Sequence, residues 1–152
     1  MNDKPLTQAY VDTNIFDYVA LRHPKYGKAC KSIMDDIRDE EFEAYCSHLV
    51  PMEILGSLAK VDRKIGYGAI RAFFSFPIRM ILVDESLLRK ASEIMMETGL
   101  TYESIHAAAM SLAGLDTIIT EDMEHWKKLK DVTVIRPEDY HNIKAKSDKL
   151  KS

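Results

Sequence analysis

Apolar residues recur along the chain with two spacings, and each spacing predicts a different secondary structure. Short β-prone runs predict five strands, at 9–11, 43–46, 79–83, 116–120 and 132–135. Elsewhere apolar side chains recur every three or four residues, as on one face of a helix. This pattern predicts helices at 13–20, 25–39, 48–61, 69–76, 85–98, 101–113 and 122–130.

Strands that alternate with helices, and that are almost wholly apolar, indicate a parallel sheet covered by helices on both faces. The predicted fold class is therefore α/β. We expect a single domain over residues 1–140, because the sequence contains no internal repeat and no linker. Residues 141–152 form a polar, basic tail that we expect to fray from Lys144 onward.

Composition and charge narrow the class of protein. The chain has 152 residues, of which 46% are hydrophobic and 30% charged, as in soluble globular proteins. Its net charge of −3 provides no overall field that would attract a phosphate polymer, so nucleic acid would have to bind through local features. Cys30 and Cys46 lie in separate apolar segments, and no run approaches the roughly 20 apolar residues of a membrane helix. We therefore expect a cytoplasmic protein with free thiols and no membrane partner.

Acidic residues stand at or just beyond the ends of several predicted strands. Asp12 directly follows the first strand, and Asp122 follows the fourth with one residue between. Glu53 lies in the first turns of the helix after the second strand, and Glu103 begins a helix that should return to the same edge. Because ligands of open α/β sheets bind outside the carboxyl ends of the strands, these four acids are candidate catalytic residues.

Four carboxylates in one place would repel one another. At about 4 Å, one pair costs roughly 4 kcal/mol at an effective dielectric constant of about 20. A hard divalent cation relieves this repulsion, so we predict that the four acids bind Mg²⁺ or Mn²⁺. Such an ion activates water for the hydrolysis of a phosphodiester without a covalent intermediate. Asn14 and Thr120 are expected to hydrogen-bond a carboxylate or a metal-bound water.

Each acid also has a structural explanation. Glu103 and Asp122, near helix starts, would complement the helix dipole, an effect of about 0.3–1 kcal/mol. Asp12 would serve as a turn residue. Glu53 is harder to explain in this way, because it stands between apolar residues in a helical segment. The four acids together are therefore stronger evidence than any one of them.

Four segments of the chain resemble the motifs of the PIN domain family. The sequence YVDTNIF at 10–16 is similar to the opening motif, and VPMEI at 50–54 contains the second acid. TYESIHAA at 101–108 resembles the third motif, and IITED at 118–122 resembles the fourth. The resemblance covers about 9–137. One position departs from the pattern, since the third motif usually carries Asp where this chain has Glu103.

The resemblance implies a three-layer α/β/α sandwich with a central parallel sheet of about four to five strands. It also implies Mg²⁺- or Mn²⁺-dependent cleavage of RNA, with the metal bound by Asp12, Glu53, Glu103 and Asp122. Many family members of this length are VapC-type toxins, usually homodimers inhibited by a small antitoxin protein. We therefore expect RNA as substrate, with a second copy of the chain and an antitoxin as candidate partners.

Two other functions remain open. Because Glu103 replaces the usual Asp and the net charge is negative, the main alternative is a weakly active or inactive PIN scaffold that binds RNA or a protein. A phosphatase of the haloacid-dehalogenase type would need a second Asp two residues after Asp12, where this chain has Asn14. Glu103-x-x-His106 is half of a di-iron pattern and lacks a second copy, so we expect His106 to be a packed or hydrogen-bonding residue near the site. We expect His125 to be a surface residue.

Aromatic residues allow two interpretations. Four aromatic residues could stack on RNA bases, namely Trp126, Tyr10, Tyr18 and Tyr102. Packing in the core or at its rim is the default expectation for them. The helical region 55–76, which contains three phenylalanines at positions 73, 74 and 76, could form a dimer or antitoxin surface. Equally, these phenylalanines could belong to the core.

Overall fold

A computed structural model describes residues 5–151 and contains one five-stranded sheet. The strands are β1 (Gln8–Val11), β2 (Glu43–Ser47), β3 (Ile78–Ile81), β4 (Thr117–Ile119) and β5 (Thr133–Ile135). They lie in the order β3-β2-β1-β4-β5, and every neighbouring pair is parallel. The predicted α/β class and the parallel sheet are confirmed.

Eight helices connect and flank the strands in the described part of the chain. They are α1 (Thr13–Ala20), α2 (Gly27–Arg38), α3 (Leu49–Ala59), α4 (Arg63–Ser75), α5 (Glu85–Thr98), α6 (Tyr102–Leu112), α7 (Met123–Trp126) and α8 (Pro137–Lys151). Helix α1 packs against α2, α3 and α4, whereas α5 packs against α6. The structure is therefore the three-layer α/β/α sandwich that the resemblance implied.

The centre of the sheet is buried because its strands carry apolar side chains on both faces. Tyr10, Val11, Ile118 and Ile119 in the two central strands are fully buried. On α6, three consecutive alanines, residues 107–109, are buried as well. Small side chains at these positions allow the helix backbone to approach its neighbours closely.

The strand order reverses beside β1, and this position determines where the site lies. The chain runs from β1 outward through β2 to β3, and then returns to place β4 on the other side of β1. Tyr10 pairs with Ile118 and Val11 with Ile119, so β1 and β4 end side by side. Such a reversal opens a crevice outside the carboxyl ends of the two strands.

Several predicted boundaries were wrong. Helix α4 begins at Arg63 after the capping side chain of Asp62, so Gly66 and Gly68 lie inside the helix and not before it. Gly66 lies where α4 crosses α3, and a Cβ at this position would make a tight contact of 3.2 Å with the backbone nitrogen of Ala59. Helix α7 ends at Trp126, four residues earlier than predicted.

The C-terminal segment forms helix α8, so the prediction of a fraying tail from Lys144 was wrong. Asp36 of α2 is buried, and its carboxylate accepts hydrogen bonds from Tyr140 and from Lys144. The Lys144 Nζ atom lies 2.7 Å from Asp36 Oδ1. This ion pair fastens α8 to α2. Residues 1–4 and 152 lie outside the described residues.

The two cysteines, Cys30 and Cys46, are buried free thiols. In residues 5–151, no helix combines the length and the hydropathy that crossing a membrane would require.

Candidate functional site

The site lies at the carboxyl edge of the sheet, where β1 and β4 end side by side. Asp12 directly follows β1, and its Oδ1 accepts a hydrogen bond from the backbone N–H of Thr13 at the start of α1. Asp122 comes shortly after β4, and its Oδ1 accepts from the backbone N–H of His125 in α7. Both acids therefore cap helices. This structural role of Asp12 and Asp122 does not exclude a functional role for the same side chains.

Asp12 and Glu53 form one acidic group with His106. One potential ligand atom from each of the three residues lies within 4.8 Å of the other two. The Nε2 atom of His106 is 2.7 Å from Glu53 Oε1 and 3.9 Å from Asp12 Oδ1. Thr13 donates its hydroxyl to the same Glu53 Oε1 at 2.8 Å. His106 is 3% exposed, so its ring closes the inner side of this group.

Glu103 and Asp122 form a second group with His125, again with one potential ligand atom of each within 4.8 Å of the others. The Nδ1 atom of His125 lies 2.8 Å from Asp122 Oδ2 and 3.6 Å from Glu103 Oε1. The side chains of Glu103 and Asp122 are 25% and 29% exposed. This group is therefore open to solvent, as is Glu53 at 30% exposed, whereas Asp12 and His106 are buried.

Three structural connections hold the two groups next to each other. Thr120 donates its hydroxyl to Asp12 Oδ2 at 2.8 Å and accepts from the backbone N–H of Asp122 at 3.0 Å. Trp126 of α7 donates its indole N–H to the same Asp12 Oδ2 at 3.3 Å. Glu103 and His106 stand three residues apart on α6, and side chains with this spacing are neighbours on a helix.

Asn14 completes the hydrogen bonds around Asp12. Its Nδ2 donates to Thr120 Oγ1 at 3.0 Å and lies 3.5 Å from Asp12 Oδ2. Its Oδ1 accepts from the backbone N–H of Glu121 at 3.3 Å. Thr120 and Asn14 therefore fix the carboxylate of Asp12 from the β4 side, and any role toward a bound water stays a prediction.

Within residues 5–151, no lysine or arginine forms an ion pair with any of the four carboxylates. Among the described residues, the ion pairs of Asp12, Glu53, Glu103 and Asp122 involve only histidine. Burial alone would raise the pKa of Glu53. The hydrogen bond from His106 and the charge of His106 outweigh burial, so the pKa of Glu53 lies below its ordinary value. Burial lowers the pKa of His106, and here the hydrogen bond to Glu53 and the charge of Asp12 outweigh it and raise the pKa. The pKa of His125 is raised chiefly by its hydrogen bond to Asp122.

This donor set fits a hard divalent cation. Carboxylate oxygens are the ligands that Mg²⁺ and Mn²⁺ prefer, and these carboxylates lack the lysine or arginine partners that would otherwise neutralise them. The hydrogen bonds that Glu53 receives from Thr13 and His106 both end on Oε1, so Oε2 is available to a ligand. Each group could thus hold a metal ion, with carboxylates from Asp12 and Glu53 in the first group and from Glu103 and Asp122 in the second.

Two histidines belong to the site more closely than the sequence indicated. His106 hydrogen-bonds Glu53, as a packed residue near the site was expected to do. His125 is 46% exposed, but it also pairs with Asp122, so describing it as a surface residue alone was incomplete. Each histidine follows a candidate ligand acid by three residues, at Glu103–His106 and Asp122–His125, and this repeated spacing could have placed both histidines near the site, though not their partners.

The aromatic residues divide between core and surface. Trp126 and Tyr10 are fully buried, so neither can stack on a base, and the default expectation was right for both. Tyr102 is 61% exposed beside Glu103. Phe73 is part of the core, whereas Phe74 is 58% exposed on α4.

An apolar groove of about 300 Å³ lies between α1, α2 and α4, away from the carboxylates. Its walls include Phe16, Val19, Met34, Ile65 and Phe73.

Comparisons with known proteins agree with this fold. The model of the PIN domain family matches residues 9–132 of the chain. VapC20 from Mycobacterium tuberculosis, described as a toxin that cleaves the sarcin–ricin loop, aligns with a TM-score of 0.67 and 16% identity over 78% of this chain and 93% of its own. A toxin–antitoxin complex from Klebsiella pneumoniae gives a TM-score of 0.63 at 17% identity over 85% and 97%. A chain of VapBC2 from Rickettsia felis, in a structure with a promoter DNA fragment, gives a TM-score of 0.65 at 14% identity. This alignment covers 86% of the present chain and 98% of the Rickettsia chain. No curated protein sequence matches the chain. At these identities the structural similarity is a similarity of fold.

Proposed function

The chain belongs to the PIN domain family, and from this membership we propose that it is a metal-dependent endoribonuclease. The observation that carries the proposal is the set of four carboxylates at the carboxyl edge of β1 and β4. They lie in two adjacent groups, and the ion pairs of these acids within residues 5–151 are to histidines only. Keeping like charges together without a lysine or arginine partner costs stability, and a bound divalent cation would offset that cost.

Asp12, Glu53, Glu103 and Asp122 would hold Mg²⁺ or Mn²⁺ at this site. When bound, the ion would supply an activated water and would neutralise charge on the phosphate that is attacked. The chain's own residues fix the carboxylates: Thr120 and Trp126 hold Asp12, while His106 and Thr13 hold Glu53. A carboxylate that is not fully occupied by metal can accept the proton of the attacking water, and Glu103 and Asp122 are open enough to solvent to do so.

Cleavage of a labelled single-stranded RNA in the presence of Mn²⁺ tests this proposal. We expect the wild type to cut and Asp12→Asn to lose at least about a hundredfold in rate, since removal of a charge from the site removes most of the metal affinity. Asp84→Asn is the matched control, because Asp84 also caps a helix, α5, but lies outside the acidic groups. Equal loss in both variants would favour the purely structural explanation of these aspartates. RNA binding without cleavage by the wild type would favour the inactive-scaffold alternative, which the substitution of Glu103 for Asp motivates.

We further propose that the ribonuclease is the toxin of a toxin–antitoxin pair and acts in the cytoplasm as a homodimer. The support is the fold shared with VapC20 and with chains of toxin–antitoxin complexes. The apolar groove between α1, α2 and α4 is where an apolar antitoxin side chain would bind. Expression of the chain in bacteria should arrest growth, and co-expression of a short reading frame adjacent to its gene should restore it. Growth that is unaffected by the active enzyme would contradict the toxin assignment, and sedimentation as a monomer would contradict the homodimer.

A further inference from the structure

A chain of buried hydrogen bonds lies behind Glu53, on the side away from solvent. It begins in β2 at Ser47, passes through Tyr10 of β1 and His106 of α6, and ends on the Glu53 carboxylate. Tyr10 Oη lies 2.9 Å from Ser47 Oγ and 2.6 Å from His106 Nδ1, and His106 Nε2 lies 2.7 Å from Glu53 Oε1. Ser47 and Tyr10 are 0% exposed and His106 is 3% exposed. Three polar side chains in succession are thus held in the interior of the fold.

The number of available protons determines which group donates and which accepts in each of these hydrogen bonds. The backbone N–H of Ser47 donates to Tyr10 Oη at 3.1 Å, and the backbone N–H of Leu49 donates to Ser47 Oγ at 3.3 Å. Either hydroxyl can donate across the Tyr10–Ser47 contact, because a hydroxyl hydrogen rotates to suit its surroundings. If Tyr10 donated to Ser47, the Ser47 hydroxyl hydrogen would have no acceptor among the described hydrogen bonds. A buried donor without an acceptor costs about 1–3 kcal/mol.

The opposite direction satisfies every group. The Ser47 hydroxyl then donates to Tyr10 Oη, and Tyr10 gives its single proton to Nδ1 of His106. A neutral histidine that accepts at Nδ1 carries its hydrogen on Nε2, which faces Glu53 Oε1. The donors therefore run in one direction, from Ser47 through Tyr10 and His106 to the carboxylate.

We propose that Tyr10 is a positioning residue which, by donating to Nδ1, fixes His106 in the Nε2–H tautomer and so holds the Glu53 carboxylate in place for a divalent cation. The inference rests on the proposed function, because it assigns a purpose to Glu53 as a metal ligand. Tyr10 is too deeply buried to touch substrate and acts only through His106. Without the Tyr10 hydroxyl, the ring could carry its hydrogen on Nδ1 and would then turn a lone pair toward the carboxylate, which would displace Glu53.

Nitrogen NMR of histidine-labelled protein tests the tautomer without any dependence on catalysis. Because Glu53 and Asp12 raise the pKa of His106, the spectra are recorded at a pH high enough that the nitrogen shifts of this ring no longer change with pH. There we expect His106 to show a protonated Nε2 and an unprotonated Nδ1. In Tyr10→Phe we expect both tautomers to be populated. Protonation of Nδ1 in the wild type, or an unchanged tautomer in Tyr10→Phe, would overturn the proposal. The measurement on the wild type decides the question even if the variant does not fold.

Calorimetric titration with Mn²⁺ tests the consequence for the metal. Tyr10→Phe should weaken Mn²⁺ binding about 10-fold or more, as loss of residues that orient ligands commonly does. Tyr140→Phe is the matched control, because it removes another buried tyrosine hydroxyl that hydrogen-bonds a side chain far from the site. We expect its Mn²⁺ affinity to equal that of the wild type. Equal loss in both variants, or no loss in Tyr10→Phe, would overturn the positioning role.

A double substitution separates this role from a general effect on packing. In a His106→Ala background, no side chain within residues 5–151 connects Tyr10 to Glu53. There Tyr10→Phe should therefore change Mn²⁺ affinity less than about twofold. A full 10-fold effect in that background would mean that Tyr10 acts independently of His106, contrary to the proposal. If the wild type bound no Mn²⁺, the proposed function would fail, whereas the NMR result would still report on the tautomer.

Discussion

Replacing Asp17 with asparagine should stabilise the folded protein at neutral pH but not at acidic pH. Asp17 lies on α1, where burial raises the pKa of its carboxyl group from an ordinary value of 3.8 to about 6. Ser57 donates a hydrogen bond to Oδ2, which opposes this rise, and the charges of Glu53 and Asp12 add to it. The Oδ1 atom is buried and has no hydrogen-bond partner among the described residues. The fold therefore penalises the ionised form of this side chain.

The sign and size of the effect follow from proton linkage. Below the unfolded pKa of 3.8 the group is protonated in both states, and its favourable contribution is fully present. As the pH rises through the folded pKa of about 6, that contribution is lost. A difference of about two pKa units corresponds to at most about 3 kcal/mol. Because part of the side chain is exposed to solvent, we expect about 1–2 kcal/mol.

Urea unfolding in the presence of EDTA, at about pH 4 and about pH 7.5, measures this difference. The free energy of unfolding of Asp17→Asn, relative to the wild type, should rise by about 1–2 kcal/mol between the two pH values. Comparing two pH values cancels any constant cost of placing an amide there. Glu93→Gln is the control, since Glu93 is an exposed acid on α5. A relative stability that is the same at both pH values, or lower at the higher one, would refute the reasoning.

Three further predictions concern packing, the C-terminal helix and the metal. Gly66→Ala should lower the free energy of unfolding by about 1–3 kcal/mol in the same urea assay, because its Cβ would lie 3.2 Å from the Ala59 backbone nitrogen. Gly68→Ala is the control: a Cβ there has nothing within 4 Å, so the free energy of unfolding should rise by up to about 1 kcal/mol. Asp36→Ala should lower the free energy of unfolding by about 2–3 kcal/mol and expose α8 to proteolysis, since it leaves Lys144 and Tyr140 without their hydrogen-bond acceptor. A variant as resistant to protease as the wild type would contradict the docking of α8. Mn²⁺ at about 100 times its Kd should stabilise the wild type by about 2.7 kcal/mol in thermal unfolding and leave Asp12→Asn unchanged, and equal shifts in both would place the ion elsewhere.

The elements that could be predicted are those whose signal is local in the sequence. The strands are recognisable as apolar runs. Helix α5 has a signal at each end: the side chain of Asp84 caps its start, and Gly99, with a left-handed φ of 75°, ends it. Helix α8 escaped prediction because its sequence is polar and basic. Its residue Lys144 forms an ion pair with Asp36, which precedes Lys144 by 108 positions in the chain, and this ion pair holds the helix in place.

The same distinction applies to the site. Position after a strand identified Asp12 and Asp122, because strand ends can be inferred from hydrophobicity alone. The contact between Glu53 and His106 joins residues 53 positions apart, and the contact between Tyr10 and His106 joins residues 96 apart. Sequence spacing within one helix cannot indicate either contact. These partners become visible only when the sheet and α6 are assembled.

The most direct test of the central claim is a crystal structure of the protein soaked with Mn²⁺, with an anomalous difference map at the carboxyl edge of β1 and β4. We predict a strong peak within about 2.0–2.4 Å of carboxylate oxygens of the predicted ligands, Asp12, Glu53, Glu103 and Asp122. The peak should disappear in Asp12→Asn. A map with no peak at these residues in the wild type, under conditions where the enzyme is fully folded, would contradict the claim that these acids form a metal centre.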